Sequence, residues 1–191
     1  MARYNVYADF EKAAKFIAKC EALFLQRSDD HIYICGDGHF IVKVDTFLYE
    51  YVFRTVSPRF IELKEDCKAT AQGDKKKLPV INPGGFEIEK AIPKNLSDFM
   101  IAEFTGFSCE NTDGKQLKIF SVGESLAYLR DEYYNNLKCF FTTDIYGKDW
   151  KSPVFSDPYL DKACLILPVN YHSNSKYEIV DAEKMSNRLT A

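Results

Sequence analysis

The sequence predicts an α+β fold built from two helix-plus-antiparallel-sheet halves joined by an irregular insertion. Three observations carry the prediction. Phe10, Ala13, Ala14 and Ile17 recur at the i, i+3, i+4, i+7 spacing of one apolar helix face. Residues 22–27, 31–35 and 39–44 are apolar and aromatic runs separated by Ser28-Asp29-Asp30 and Gly36-Asp37-Gly38, which are turn signals. After residue 95 the same order returns, with strands around one amphipathic helix. The chain has 191 residues, enough to bury roughly 70% of its unfolded surface without a disulfide or a metal.

The elements follow in order. Arg3 to Tyr7 alternates and reads as a short first strand. Asp9 to Cys20 reads as a helix with Asp9 as its N-cap. Lys12, Lys15 and Lys19 share the side opposite the apolar face. Three strands follow, 22–27, 31–35 and 39–44. Thr46 to Val56 reads as a short helix ended by Ser57-Pro58, and Arg59 to Leu63 as a strand. Residues 64–95, with Lys75-Lys76-Lys77, Pro83-Gly84-Gly85 and Pro93, read as a long loop with small local elements. Phe99 to Cys109 reads as a strand broken at Gly106. Asn111-Thr112-Asp113-Gly114 is a hairpin turn signal, and Gln116 to Val122 the returning strand. Ser121 and Glu124 fit a capping box. The helix it opens would run to about Asn136, with Leu126, Leu129, Tyr133 and Leu137 on its apolar face. Lys138–Asp144, Pro153–Ser156 and Lys162–Val169 read as strands, and the tail from Asn170 as a frayed polar end.

Composition narrows the function classes. Lys and Arg number 25 and Asp and Glu 28, a net charge of −3. A polybasic protein that holds nucleic acid by its average field is thereby excluded, whereas a local basic face is not. The apolar runs fall far short of the ~20 residues of a membrane helix, and the first ten residues lack a signal-peptide core. The six cysteines contain no C-x-x-C pair and read as reduced core thiols of a cytoplasmic protein.

No catalytic or cofactor motif stands out, and no cofactor is expected. His31, Cys35, Asp37 and His39 lie within nine residues, but the turn between them opposes the convergence that zinc needs. A cysteine paired with His31, His39 or His172 is a constellation that one sequence does not reveal. Phosphate-loop patterns are absent. Lys12, Lys15 and Lys19 are the feature with a physical partner, since three lysines on one helix face can neutralise backbone phosphates without reading sequence.

Two segments resemble a known family. Cys35-Gly36-Asp37-Gly38-His39 is similar to the hairpin of bacterial DNA sliding clamps, the DNA polymerase III beta subunit. Ala163 to Val169, led by Ser152-Pro153-Val154-Phe155, is similar to the strand that closes a clamp domain. The resemblance implies a clamp-like, pseudo-twofold domain over residues 1–172, with halves 1–45 and 96–169, an insertion at 46–95 and a polar tail at 173–191. It also implies that Lys12, Lys15 and Lys19 are inner-face residues meeting double-stranded DNA, with Lys118, Arg130 and Lys138 as weaker candidates. Phe40 stands where the family has an arginine, so that arginine's role is not carried over. A ring would require assembly into a homo-oligomer. Single clamp-like domains of this kind point to a replication, phage or mobile-element setting. The alternative is a protein-interaction module of the same fold that does not bind DNA. It is favoured by Phe47, Tyr49, Tyr51 and Phe53, and by the acidic residues Glu124, Asp131 and Glu132 on the second helix.

Overall fold

The computed structural model describes residues 6–82, 84, 86–110, 114–141, 144–148, 153–169 and the backbone of 179–181. Helix α1 spans Ala8–Ile17. Strands β1 (Leu23–Ser28), β2 (His31–Gly36) and β3 (Phe40–Asp45) form an antiparallel meander. The helical stretch after β3 consists of α2 (Thr46–Leu48), a π-helical turn (Tyr49–Phe53) and α3 (Arg54–Val56). Short strands β4 (Lys68–Ala71) and β5 (Val80–Ile81) and a 3-10 turn (Ile88–Ala91) follow. The second half contains β6 (Met100–Glu110), β7 (Gln116–Val122), β8 (Ser125–Arg130), α4 (Asp131–Leu137) and a 3-10 turn at Lys138–Phe140. It closes with β9 (Ile145–Gly147), β10 (Val154–Ser156), β11 (Ala163–Ile166) and β12 (Ile179–Asp181).

The fold is α+β. Among the described residues, the sheet runs β5-β4-β1-β2-β3-β11-β10-β9-β6-β7-β8, with β12 paired to β6. The antiparallel β3–β11 ladder, Phe40↔Ile166 to Lys43↔Ala163, joins the two halves. Lys43 reinforces this seam: its buried ammonium donates to the carbonyls of Pro158 (3.2 Å) and Leu160 (3.0 Å).

The helices cover one face of the sheet. Ala13, Ala14 and Ile17 of α1 and Tyr133 and Leu137 of α4 join Leu23, Ile34, Phe40, Val42 and Phe120 in the main core. Helices α1 and α4 lie side by side. Phe16 meets Tyr133 at 5.9 Å and Phe10 meets Phe140 at 5.4 Å, both edge-on. The other face carries a smaller core of Ile41, Phe155 and Leu165 under Ile88 and Ile92. Buried Gln26 anchors that cover by accepting the Ile88 backbone N–H at 2.6 Å.

Several local expectations give way to the tertiary structure. The expected second helix is shorter, because Ser125–Arg130 is strand β8. Gly123 (φ +58°) and Glu124 form a two-residue turn between β7 and β8, with Val122 opposite Ser125. A positive φ favours the hairpin over the capping box. Leu129 is then buried and Leu126 is 48% exposed, on opposite faces as a strand requires.

The first helix stops at Ile17 rather than Cys20. Lys19 and Cys20 N–H groups bond the carbonyls of Phe16 and Ile17 in tighter turns. The buried guanidinium of Arg59 takes the carbonyls of Ala18 (2.8 Å) and Cys20, which satisfies carbonyls left open past the helix end. Asp9 lies inside the helix, whose N-cap is Tyr7. Residues 59–63 are not a strand; side chains pin them, with Tyr49 Oη donating to Ile61 O (2.8 Å) and Arg27 to Leu63 O (3.0 Å).

The expected loop at 64–95 contributes β4, which pairs with β1 and extends the sheet. Gly106 (φ +80°) sits in a bulge where the β6–β7 register shifts between Phe104 and Ser108, so the strand continues past the glycine. Lys138–Phe140 is a 3-10 turn rather than a strand. Residues 3–5 of the expected first strand, 111–113 of the expected hairpin turn, Ser152 and most of the tail lie outside the described residues, and Val6 and Tyr7 form a turn into α1 rather than a strand. Within the tail, 179–181 pairs with β6.

Candidate nucleic-acid interface

Helix α1 is amphipathic, and its apolar side is spent on the sheet. Lys12 and Lys15 are exposed on the helix, and Lys19 is exposed in the turn that follows it. All three flank the side of α1 away from Ala13, Ala14 and Ile17. The weaker candidates separate. Lys138 is exposed at the end of α4. Lys118 is committed to Asp131 at 3.0 Å and packed over the rings of Phe104 and Tyr134 at 5.0 and 5.7 Å. Arg130 lies over the Tyr133 ring, with its guanidinium donating to Tyr133 Oη at 3.0 Å.

The acidic start of α4 is partly used inside the protein. Asp131 accepts from Lys118 and from Asn135 Nδ2 at 2.6 Å. Its position in the first turn also complements the positive end of the helix. Glu124 is in the β7–β8 turn, away from α4. The acidity of the second helix is thus smaller than residues 124–136 suggest.

A cleft of about 720 Å³ opens where the end of α1 meets the β2–β3 turn and the start of α4. Lys19, Lys75, Lys115 and Arg130 line it, with His39 beside them. Lys75 and Lys115 are cations that the sequence left unassigned; they come from the β4–β5 loop and the residue before β7, and only the fold brings them to Lys19. His39 packs against Tyr133 with ring centroids 5.8 Å apart. Burial first, then the charges of Arg130 and Lys115, hold its imidazole below the ordinary range, with Asp37 opposing.

The other candidate residues have structural work. Asp37 Oδ1 accepts the Ala22 N–H at 2.8 Å and its own N–H bonds Ala22 O, tying the β2–β3 turn to the start of β1. His31 Nε2 faces Asp161 at 3.4 Å. Among the described residues no group of three or more His, Cys, Asp or Glu side chains is placed to hold a metal ion. All six cysteines are free thiols. No described helix is long and apolar enough to cross a membrane.

The aromatic stretch divides in two. Tyr49 and Phe53 are fully buried. Phe47 and Tyr51 are 64% and 58% exposed, stacked on each other at 5.6 Å.

No family model matches the chain, and no curated protein matches it. Among solved structures it is similar to bacterial sliding clamps. The DNA polymerase III beta subunit of Borrelia burgdorferi, solved with a natural product, shares 12% identity at a TM-score of 0.42 over 85% of this chain and 61% of that one. The Thermotoga maritima beta subunit shares 9% identity at 0.41, over 85% and 64%. The Caulobacter crescentus beta sliding clamp shares 8% identity at 0.39, over 87% and 64%. This is a weak clamp-like resemblance, in the same family that the 35–39 and 163–169 motifs resemble. The chain spans less than two thirds of the length of each of these structures.

Proposed function

We propose that this chain is a non-enzymatic clamp-like protein that contacts the backbone of double-stranded DNA through Lys12, Lys15 and Lys19, in a replication, phage or mobile-element setting. The observation that carries the reading is the exposure of Lys12 and Lys15 on α1 and of Lys19 in the turn that follows it, on the layer of helices that covers the sheet. Lys12 and Lys15 are about one helical turn apart, a rise of ~5 Å, and Lys19 continues the row. Such a row meets phosphates without base readout.

Fluorescence anisotropy with a short duplex tests it. Three phosphate contacts correspond to a slope of about −2.7 in log K against log salt. Lys12→Glu with Lys15→Glu should abolish binding. Absence of binding by the unaltered protein at low salt removes the DNA reading.

The stacked, exposed pair Phe47 and Tyr51 favours a second reading, a protein-interaction or self-assembly module without DNA binding. It takes precedence if duplex binding is absent and sedimentation shows an oligomer that Phe47→Ser with Tyr51→Ser disperses.

A further inference from the structure

The cleft at the end of α1 shares Lys19 with the exposed lysine row and adds cations from three other segments. We propose that it binds the terminal phosphate of a sugar phosphate, carried either by a free mononucleotide or by the 5′ end of a nucleic-acid strand. Its walls bring together four cations from four separate segments: Lys19 after α1, Lys75 between β4 and β5, Lys115 before β7 and Arg130 at the end of β8. At about 720 Å³ it has room for a nucleotide. Convergent cations suit a compact dianion better than a diester with one charge per phosphate.

Two features make the cleft specific. Arg130 is held in place by its bond to Tyr133 Oη and its seat on the same ring, so part of the ordering cost of gripping an anion is already met. Among the described residues, no carboxylate lies within 4 Å of the charged ends of Lys19, Lys75 or Arg130. Three carboxylates also line the cleft: Asp37, which is bonded to the Ala22 N–H, and the glutamates Glu21 and Glu132. The two glutamates would accept from ligand hydroxyls, which favours a phosphate carried on a sugar over the bare ion.

His39 reports on occupancy. Burial is the main cause that lowers its proton affinity; among the charged groups, Arg130 and Lys115 lower it and Asp37 raises it. A dianion placed among these cations offsets their field and raises the imidazole pKa.

The test is an NMR pH titration of the His39 ring, assigned with His39→Gln. Four probes are used: adenosine 5′-monophosphate, adenosine, and one single-stranded oligonucleotide with and without a 5′-phosphate. Both phosphorylated probes, or one of them, should raise the His39 pKa, and their unphosphorylated counterparts should not. The probe that binds more tightly identifies the source. Arg130→Gln with Lys115→Gln should weaken binding at least tenfold, and Lys75→Gln, at an exposed loop position, should weaken it without touching the Tyr133 packing. Lys64→Gln, which removes one exposed charge elsewhere, should leave it unchanged. The proposal is overturned if neither phosphorylated probe moves His39, if unphosphorylated probes bind equally well, or if the cleft variants bind as tightly as Lys64→Gln.

Discussion

Single residues in this chain do work that their type alone does not announce. Arg59 is a buried cation that closes the end of α1, and Lys43 is a buried cation that pins the 158–160 loop across the β3–β11 seam. Neither is available to a ligand, although both count toward the 25 basic residues. Gly36 shows the opposite case, where absence of a side chain is the function. A Cβ built there would lie 2.2 Å from Phe40 Cζ and 2.8 Å from Cys20 Sγ. Phe40 is a core residue packed between Phe16 and Tyr133, so it has little room to yield. Gly36→Ala should therefore destabilise the protein by about 1–3 kcal/mol, the usual cost of overpacking, read as a lower urea midpoint. An unchanged midpoint would mean that Phe40 has another rotamer open to it.

At the scale of elements, the first helix and the β1–β2–β3 meander were legible, because each has a clean period and a turn signal at its end. Asp29 (φ +49°), Asp37 (φ +51°) and Gly38 (φ +69°) adopt the left-handed conformations that Asp and Gly accept in turns. Residues 121–137 were not legible in the same way. Leu126, Leu129, Tyr133 and Leu137 fit a helical face, and Ser121 with Glu124 fit its cap. The hairpin with β7 wins because it satisfies the backbone of the whole of Ser125–Arg130 in a ladder and still buries Leu129. One comparison decides between the two descriptions in solution. Leu129→Ala should cost about 2–5 kcal/mol, and Leu126→Ala no more than about 0.5 kcal/mol. A helix with both leucines on its apolar face would make both substitutions costly.

The molecule as a whole is joined through its centre by β3 and β11, so the two halves share one sheet and one main core. Three of its cysteines, Cys20, Cys139 and Cys164, respond to pH in the same sense. Burial is the main cause raising Cys20, Cys139 and Cys164, with Cys139 pushed up to about 12 from an ordinary 9.0. These thiols stay neutral in the folded state, whereas unfolded thiols ionise near 9. Their contribution is therefore fully present below pH 9 and is lost as pH rises from 9 through about 12. The raised tyrosines Tyr49, Tyr133 and Tyr134 act in the same sense. Lys43, lowered by burial, acts in the opposite one. Urea unfolding at pH 8, 10 and 11 should show stability falling above pH 9, with a smaller fall for Cys139→Ala. A flat profile would contradict the burial of these groups.

The sequence by itself determined the α+β class, the helix that carries Lys12 and Lys15, the central hairpins and the closing strand at 163–166. Each is set by local periodicity, by turn chemistry or by a motif of a few adjacent residues. Only the tertiary structure decided that residues 125–130 form a strand, that β4 extends the sheet, and that Lys118, Lys43 and Arg59 are spent internally. It alone brought Lys75, Lys115 and Arg130 to Lys19. The physical reason is the same throughout. Ladder pairing, burial and the meeting of distant charges depend on residues far apart in the chain, and no period along the sequence encodes which of them will meet.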